Sequence, residues 1–124
     1  MTGEDSWTAL FPFHTEKLQI SAEISEDAST GILHLTGQLT TENSSSVSAH
    51  LNRIINSTHT PPTVVLNLRG LRYASSTGIG VIAGLLVDLQ NRSIALQLAN
   101  VGESVREVFD LLGFSAFFEF VEWP

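Results

Sequence analysis

Residues Val64 to Gly84 read VVLNLRGLRYASSTGIGVIAG, and this stretch decides the fold. It opens on a short apolar run rich in β-branched side chains, which is typical of a strand buried on both faces. A turn that contains arginine is expected after Leu68. Beyond that turn, apolar residues recur at helical spacing at Ile79, Ile82, Ala83 and Leu86. The stretch therefore predicts a strand from Thr63 to Leu68, a turn, and a helix that ends near Asn91.

Three consecutive hydroxyl residues, Ser75, Ser76 and Thr77, lie at the point where this helix begins. Hydroxyl side chains often cap helices, because their oxygen accepts a hydrogen bond from one of the unpaired backbone N–H groups. The same N–H groups, together with the positive end of the helix macrodipole, also favour a phosphate group. The hydroxyl run is therefore either a simple cap or a site for phosphorylation.

A hairpin and a first helix precede this stretch. Apolar and polar residues alternate over residues 18–24 and again over residues 32–39, which predicts two strands joined by a turn from Asp27 to Gly31. Helical spacing from Val47 to about Asn56 then predicts the first helix. Its cap is expected among three polar residues, Thr40, Thr41 and Asn43.

A strand, a third helix and a short apolar element follow the stretch. The strand is expected over residues 94–98. Asn100 and Glu103 have the spacing of a capping box and predict the start of the third helix, and Gly113 predicts its end. Residues 114–121 form the last element. Strands that alternate with helices in this way indicate an α/β fold with parallel neighbours in its sheet.

Composition narrows the class of protein. The chain has 124 residues, of which 43% are hydrophobic, so one compact domain is expected. A formal net charge of -7 disfavours direct binding to nucleic acid, because the phosphate backbone requires a basic surface. The chain has no cysteine, no leader-like segment and no long apolar span, so we expect a cytoplasmic protein without membrane insertion.

Residues 1–16 are interpreted as an N-terminal extension, and residues 17–124 as the domain. Termini are usually loose, which favours a flexible tail. A pure linker needs few aromatic residues, however, and this segment contains Trp7, Phe11 and Phe13. The extension is therefore either flexible or docked on the domain or on a partner.

The sequence offers no convincing catalytic or metal-binding arrangement. A serine nucleophile needs a base, usually histidine, yet none of the histidines has an evident catalytic partner or metal-ligand spacing. We interpret them as surface residues, with His50 on a polar face of the first helix; they are His14, His34, His50 and His59. The glycine-rich segment from Gly78 to Gly84 lacks the lysine of a phosphate-binding loop. We therefore expect no enzyme activity, no cofactor and no metal.

Three segments together resemble a known family. Leu-Asn-Leu at residues 66–68, followed by Ser-Ser-Thr-Gly-Ile-Gly-Val-Ile at residues 75–82, is similar to the signature of STAS domains, specifically the anti-sigma factor antagonists. ILHLTGQLT at residues 32–40 resembles the family's second strand and the loop after it. NVGESVREVFDLLGFSAFFEF at residues 100–120 resembles its last helix and closing segment. The resemblance implies a small sandwich, in which three to four helices pack mainly on one face of a mixed central sheet.

The resemblance also implies a non-enzymatic switch. Antagonists of this type bind an anti-sigma factor that is a serine kinase with a histidine-kinase-like ATPase fold. Phosphorylation of one serine abolishes this binding until a PP2C-type phosphatase removes the phosphate. The matching phosphoacceptor is Ser76, and its switch-loop neighbours are Ser75, Thr77, Gly78 and Thr40. Ser75 and Thr40 occupy positions where the family usually has aspartate.

The surroundings of Ser76 suggest where a partner binds. From residue 43 to residue 87 the sequence has no acidic residue, although the chain is strongly negative overall. Arg69 and Arg72 in this segment are either solvated or positioned to contact an acidic partner or the phosphate. Ile79 and Gly80 are further candidate contacts. Gly80 and Gly84 lie four residues apart, a spacing that more often reflects close helix packing than binding.

Two other functions are compatible with the sequence. One is a STAS scaffold or transporter-associated subunit that binds its partner constitutively, without a serine switch. The other is a sensor that binds a small anion or a nucleotide at the hydroxyl-rich helix start.

Overall fold

A six-stranded mixed sheet runs through the part of the chain that the structure describes, and its strands lie in chain order. The computed structural model describes residues 11–56 and 60–123. Its elements are β1 (Phe13–Thr15), β2 (Leu18–Ile24), β3 (Thr30–Leu39), α1 (Ser44–Ile55), β4 (Thr63–Ala74), α2 (Ser76–Asn91), β5 (Ala95–Ala99), α3 (Glu103–Leu111), a 3-10 turn (Ser115–Phe117) and β6 (Glu119–Val121). Strands β1 to β3 pair antiparallel, whereas β3 to β6 pair parallel.

The helices cover one face of this sheet. Buried residues of α1, α2 and α3 join those of the strands in one core cluster, which includes Leu66 and Phe109. On the opposite face, Ile32, Val65 and Ala99 form a small cluster to which no helix of the described residues contributes. We call this second side the helix-free face. The arrangement confirms the predicted α/β sandwich. Within residues 11–56 and 60–123, none of the helices has the length and apolar character needed to cross a membrane.

The predicted hairpin is present, and one carboxylate organises its turn. Asp27 accepts hydrogen bonds from the Ser29 hydroxyl (2.7 Å), the Ser29 backbone N–H (3.0 Å) and the Ser25 hydroxyl (2.8 Å). These bonds stabilise the charged carboxylate and so lower the pKa of Asp27 from 3.8 to about 2. The bonds from Ser29 have the largest effect. Ala28 follows with a φ of 61°, which completes the reversal between β2 and β3.

Strand β4 is longer than predicted. The arginine-containing turn expected after Leu68 is absent, because residues 63–74 form one continuous strand. Its second half stays paired with β3 through two shifts of register, between His34 and Thr36 and between Gly37 and Gln38. At each shift β4 has one residue more than β3, so the irregularities are bulges of β4, the first at residues 68–69 and the second at Arg72, and each is accommodated by pairing with β3. As a result, β4 leads directly into α2.

The prediction for His50 was wrong. His50 is only 6% exposed, and its ring stacks on Phe13 at 4.1 Å and meets the edge of Phe11 at 5.0 Å. This packing arises because β1 lies at the edge of the sheet beside β2. Strand β1 thus lies within residues 1–16, which were expected to form an extension, so the sheet begins before the expected boundary. Residues 1–10, which include most of the expected extension, and His59 lie outside the described residues.

Helix α3 ends as predicted but begins differently. The proposed capping box of Asn100 and Glu103 is wrong, because Gly102 is the N-cap and Asn100 adopts a left-handed φ of 57°. At the other end, Gly113 has a φ of 75°. The N–H groups of Gly113 and Phe114 donate to the carbonyls of Asp110 (3.1 Å) and Phe109 (2.9 Å), which is the usual glycine termination of a helix.

The start of α2 packs tightly against the end of β3 at Gly78. A methyl group on Gly78 would lie 2.6 Å from Leu39 Cγ and 3.0 Å from the Leu39 carbonyl oxygen. Gly80 and Gly84 differ, because an added methyl group would meet no atom within 4 Å at either position. The prediction that these two glycines serve close packing was therefore wrong, and that role belongs to Gly78.

We expect Gly78→Ala to lower the free energy of unfolding by about 1–3 kcal/mol, because the new methyl group overpacks the contact with Leu39. Gly84→Ala is the matched control. It should raise the free energy of unfolding by about 0.5–1 kcal/mol, since alanine favours a helix interior and space is available. Urea denaturation of both variants measures the difference, and equal effects would contradict the packing described for Gly78.

Candidate functional site

Ser75 is the residue that caps α2. Its backbone is extended, with φ -75° and ψ 164°, and its hydroxyl accepts a hydrogen bond from the Gly78 backbone N–H at 3.0 Å. Its own N–H donates to the Leu39 carbonyl at 2.9 Å. The capping role that the hydroxyl run predicted thus belongs to Ser75, which joins α2 to the end of β3.

Ser76 and Thr77 form the first turn of α2 and are both exposed. Neither residue is the N-cap, because the Ser75 hydroxyl is the group that accepts from the Gly78 N–H. The first turn of α2 contains no acidic residue. The positive end of its macrodipole is therefore not offset by a carboxylate in that turn, which favours a negative group at Ser76 or Thr77.

The backbone of Thr40 lies close to the start of α2, because the preceding residue, Leu39, bonds to Ser75. The Thr40 side chain, however, bonds at the start of α1. Thr40 is 8% exposed, its N–H donates to Asn43 Oδ1 at 2.8 Å, and its hydroxyl accepts from the Asn43 N–H at 3.1 Å. Asn43 also donates through Nδ2 to the Gln38 carbonyl at 2.9 Å. Thr40 and Asn43 therefore fix the turn that leads into α1, and Asn43, one of the residues expected to cap this helix, is its N-cap. Because Thr40 follows Leu39, whose carbonyl holds Ser75, the loops that start α1 and α2 are tied to each other.

The two arginines of β4 are both exposed but differ in their contacts. Arg69 donates through Nη2 to the Trp123 carbonyl at 2.8 Å, so it turns toward the C-terminal segment. Arg72 lies three residues before Ser75, next to Tyr73, which is 51% exposed. Tyr73 was missed by the sequence interpretation. The end of β4 therefore presents a cation and an aromatic ring three and two residues before the cap of α2.

The apolar stripe of α2 that was expected beside the hydroxyls is buried. Ile79, expected as a contact, is 0% exposed, and the other members of the stripe considered with it are also buried: Ile82, Leu85, Leu86 and Leu89. That expectation was wrong, because this face of α2 packs into the core. Gly80 is exposed and, with Thr77 and Gly84, lines an open groove of about 250 Å³ between α1 and α2.

The described residues contain no group of three or more acidic or histidine side chains that could hold a metal ion. The site is therefore a surface of hydroxyls, backbone N–H groups and nearby arginine. Its members are Ser75, Ser76, Thr77, Arg72, Tyr73 and Gly80. Such a surface can bind a protein or carry a phosphate, and no base lies among these residues to activate a serine.

Solved structures of several proteins share this fold. The anti-sigma factor antagonist SpoIIAA in its unphosphorylated form is 22% identical, with 82% of this chain and 86% of that chain covered and a TM-score of 0.65. An anti-sigma factor antagonist from Mycobacterium paratuberculosis is 14% identical, with 87% and 88% covered and a TM-score of 0.73. A sulfate transporter family protein from Wolinella succinogenes is 15% identical, with 81% and 80% covered and a TM-score of 0.67.

At these identities the structural likeness describes the fold. No curated protein sequence matches the chain. The family model of the STAS domain, in contrast, matches residues 19–122, which is nearly all of the sheet and its helices. The chain therefore belongs to the STAS domain family.

Proposed function

We propose that this chain is an anti-sigma factor antagonist whose binding is switched by phosphorylation of Ser76. One observation carries the proposal: Ser76 is exposed in the first turn of α2, while its neighbour Ser75 performs the capping. A serine that is exposed and carries no capping role can be modified without removing a contact on which the fold depends. The fold shared with SpoIIAA and other anti-sigma factor antagonists supports this proposal.

The start of α2 suits a phosphate electrostatically. A phosphoserine carries about -1.5 to -2 charges at neutral pH. An anion at a helix N-terminus typically gains about 0.3–1 kcal/mol, and the first turn of α2 holds no carboxylate that would repel it. Phosphorylated Ser76 should therefore leave the fold intact.

The same phosphate should disrupt a protein interface. Arg72 and Tyr73, at the end of β4, and Gly80, in the second turn of α2, are exposed and add one cation, one aromatic ring and an open backbone surface to this region. A partner that covers this surface would have to desolvate the phosphate, which is costly unless a cation pairs with it. A partner acidic enough to complement Arg72 would in addition repel it.

The proposed partners follow from the resemblance. The anti-sigma factor would have a histidine-kinase-like ATPase fold and phosphorylate Ser76, and a PP2C-type phosphatase would reverse the reaction. The chain itself would act by binding, without catalysis, in the cytoplasm. Thr40 and Ser75 stand where such antagonists usually carry aspartate, so the kinase would recognise a site with less negative charge than usual.

A second candidate is a STAS module that acts with a transporter. The likeness to a sulfate transporter family protein from Wolinella succinogenes favours it, as does the likeness to a part of SLC26A9, of whose chain 22% is covered. In that function the domain would bind its partner constitutively and Ser76 would stay unmodified. Phosphorylation assays distinguish the two candidates.

We expect the cognate kinase and ATP to add one phosphate, located at Ser76 by mass spectrometry. Ser76→Ala should abolish the reaction, whereas Ser75→Ala and Thr77→Ala should only weaken it. Ser76→Asp should fold normally and lose the partner, because its charge lies at a helix start that tolerates it. Phosphate located at Ser75 or Thr77 would overturn the assignment.

Stability measurements separate the roles of the two serines. Ser75→Ala should lower the free energy of unfolding by about 1 kcal/mol, because it removes the acceptor of the Gly78 N–H. Ser76→Ala should change it by less than about 0.5 kcal/mol, as expected for an exposed position. Urea denaturation provides both values. If Ser76→Ala were as destabilising as Ser75→Ala, Ser76 would be structural and its loss of phosphorylation uninformative.

A further inference from the structure

A line of side chains crosses the helix-free face of the sheet from β2 to the C-terminal segment. Glu23 Oε2 lies 2.7 Å from His34 Nε2, and Asn67 Nδ2 lies 3.0 Å from His34 Nδ1. Asn100 Nδ2 donates to Asn67 Oδ1 at 3.0 Å and to the Trp123 carbonyl at 2.9 Å, and Asn100 Oδ1 accepts from the Trp123 N–H at 3.1 Å. His34, interpreted from the sequence as an ordinary surface residue, is thus the centre of a network.

Backbone groups fix the orientation of both amides in this network. Trp123 offers one N–H and one carbonyl to Asn100, and these two groups allow only one assignment of the Asn100 oxygen and nitrogen. Asn67 Oδ1 accepts from the backbone N–H of Arg69 at 3.1 Å as well as from Asn100. The NH₂ group of Asn67 must therefore face His34.

The orientation of the Asn67 amide determines which protonated form of the His34 ring fits the network. Because an NH₂ group faces Nδ1, that nitrogen must act as an acceptor, and the ring proton must lie on Nε2, where it donates to Glu23. A second proton on Nδ1 would place two donors against each other. Asn67 could accept it only by turning its oxygen away from Arg69 and Asn100.

Rotation of the Asn67 amide cannot be compensated by rotation of the Asn100 amide. If the Asn67 amide turned, its NH₂ group would face the NH₂ group of Asn100. If Asn100 turned as well, it would lose both hydrogen bonds to Trp123. The Trp123 carbonyl also accepts from Arg69, so the contact that holds Arg69 depends on the same segment.

We propose that protonation of His34 loosens the C-terminal segment that follows β6, through Asn67 and Asn100. The charged side chains of this network are Glu23 on β2, which contacts the His34 ring, and Arg69 on β4, whose guanidinium donates to the Trp123 carbonyl. Ser21 is the residue of β2 that pairs with His34. The Glu23 side chain is 63% exposed, so solvent screens its interaction with the ring. Neither charge supplies the acceptor that Nδ1 would need.

Amide hydrogen exchange of Trp123, measured by NMR at pH 8 and pH 5.5 and corrected for the intrinsic rate, tests the proposal. Protection of this amide should fall about fivefold at pH 5.5 relative to amides in the centre of β4, because the network loses a net hydrogen bond. His34→Gln should remove this pH dependence. His14→Gln is the control, since His14 is exposed on β1, and it should retain the wild-type behaviour.

Asn67→Asp provides a second, opposite test. An aspartate can accept from a protonated His34, from Asn100 and from the Arg69 N–H at the same time. The pH midpoint of the His34 ring signals should therefore rise by about one unit or more, and Trp123 should stay protected at pH 5.5. The proposal is overturned if Trp123 exchanges with the same pH dependence in wild type and His34→Gln, or if Asn67→Asp leaves the His34 midpoint unchanged.

Discussion

The hydrogen bond from the Ser75 N–H to the Leu39 carbonyl, at 2.9 Å, is the contact on which the site depends. It joins the ends of two neighbouring parallel strands at the point where α2 begins. Gly78 packs against the same leucine, and Thr40, the next residue, bonds to Asn43, the N-cap of α1. One junction therefore sets the start of both helices. The position of Ser76 follows from it, because α2 cannot begin elsewhere without breaking this contact.

Of the two adjacent serines, Ser75 caps α2 and Ser76 is exposed. Ser75 satisfies a backbone N–H and so contributes to stability, whereas Ser76 lies outward in a helix turn that has no carboxylate. This division allows the chemistry of the surface to change while the fold stays the same. The absence of acidic residues between positions 43 and 87 adds to the effect, because Arg72 and the macrodipole act in an otherwise uncharged or basic region.

Local patterns in the sequence were sufficient where local chemistry decides the structure. The Asp27 turn and the glycine end of α3 at Gly113 follow from residues within a few positions of each other. The predictions were wrong where segments distant in the sequence determine the structure. The continuation of β4 through its bulges depends on pairing with β3, and the burial of His50 depends on β1. Asn100 joins a network with Trp123 instead of capping α3.

The same distinction applies to the candidate site. A cap within the hydroxyl run could be inferred from the sequence, because it is a local property of a helix start, but the sequence did not show which of the three residues is the cap. The burial of Ile79 and the exposure of Tyr73 could not be inferred, because they depend on how α2 and the end of β4 sit on the sheet. Helical periodicity identifies an apolar stripe but does not show that the whole stripe is used by the core.

The central claim is that a phosphate at Ser76 changes the surface and leaves the fold unchanged. Protein carrying phosphoserine at position 76, compared with unmodified protein by amide NMR and urea denaturation, tests it most directly. We expect shift changes confined to the first turn of α2 and the adjoining ends of β3 and β4, with a free energy of unfolding that is equal or higher. Shift changes throughout the sheet, or a loss of stability of more than about 1 kcal/mol, would contradict the claim.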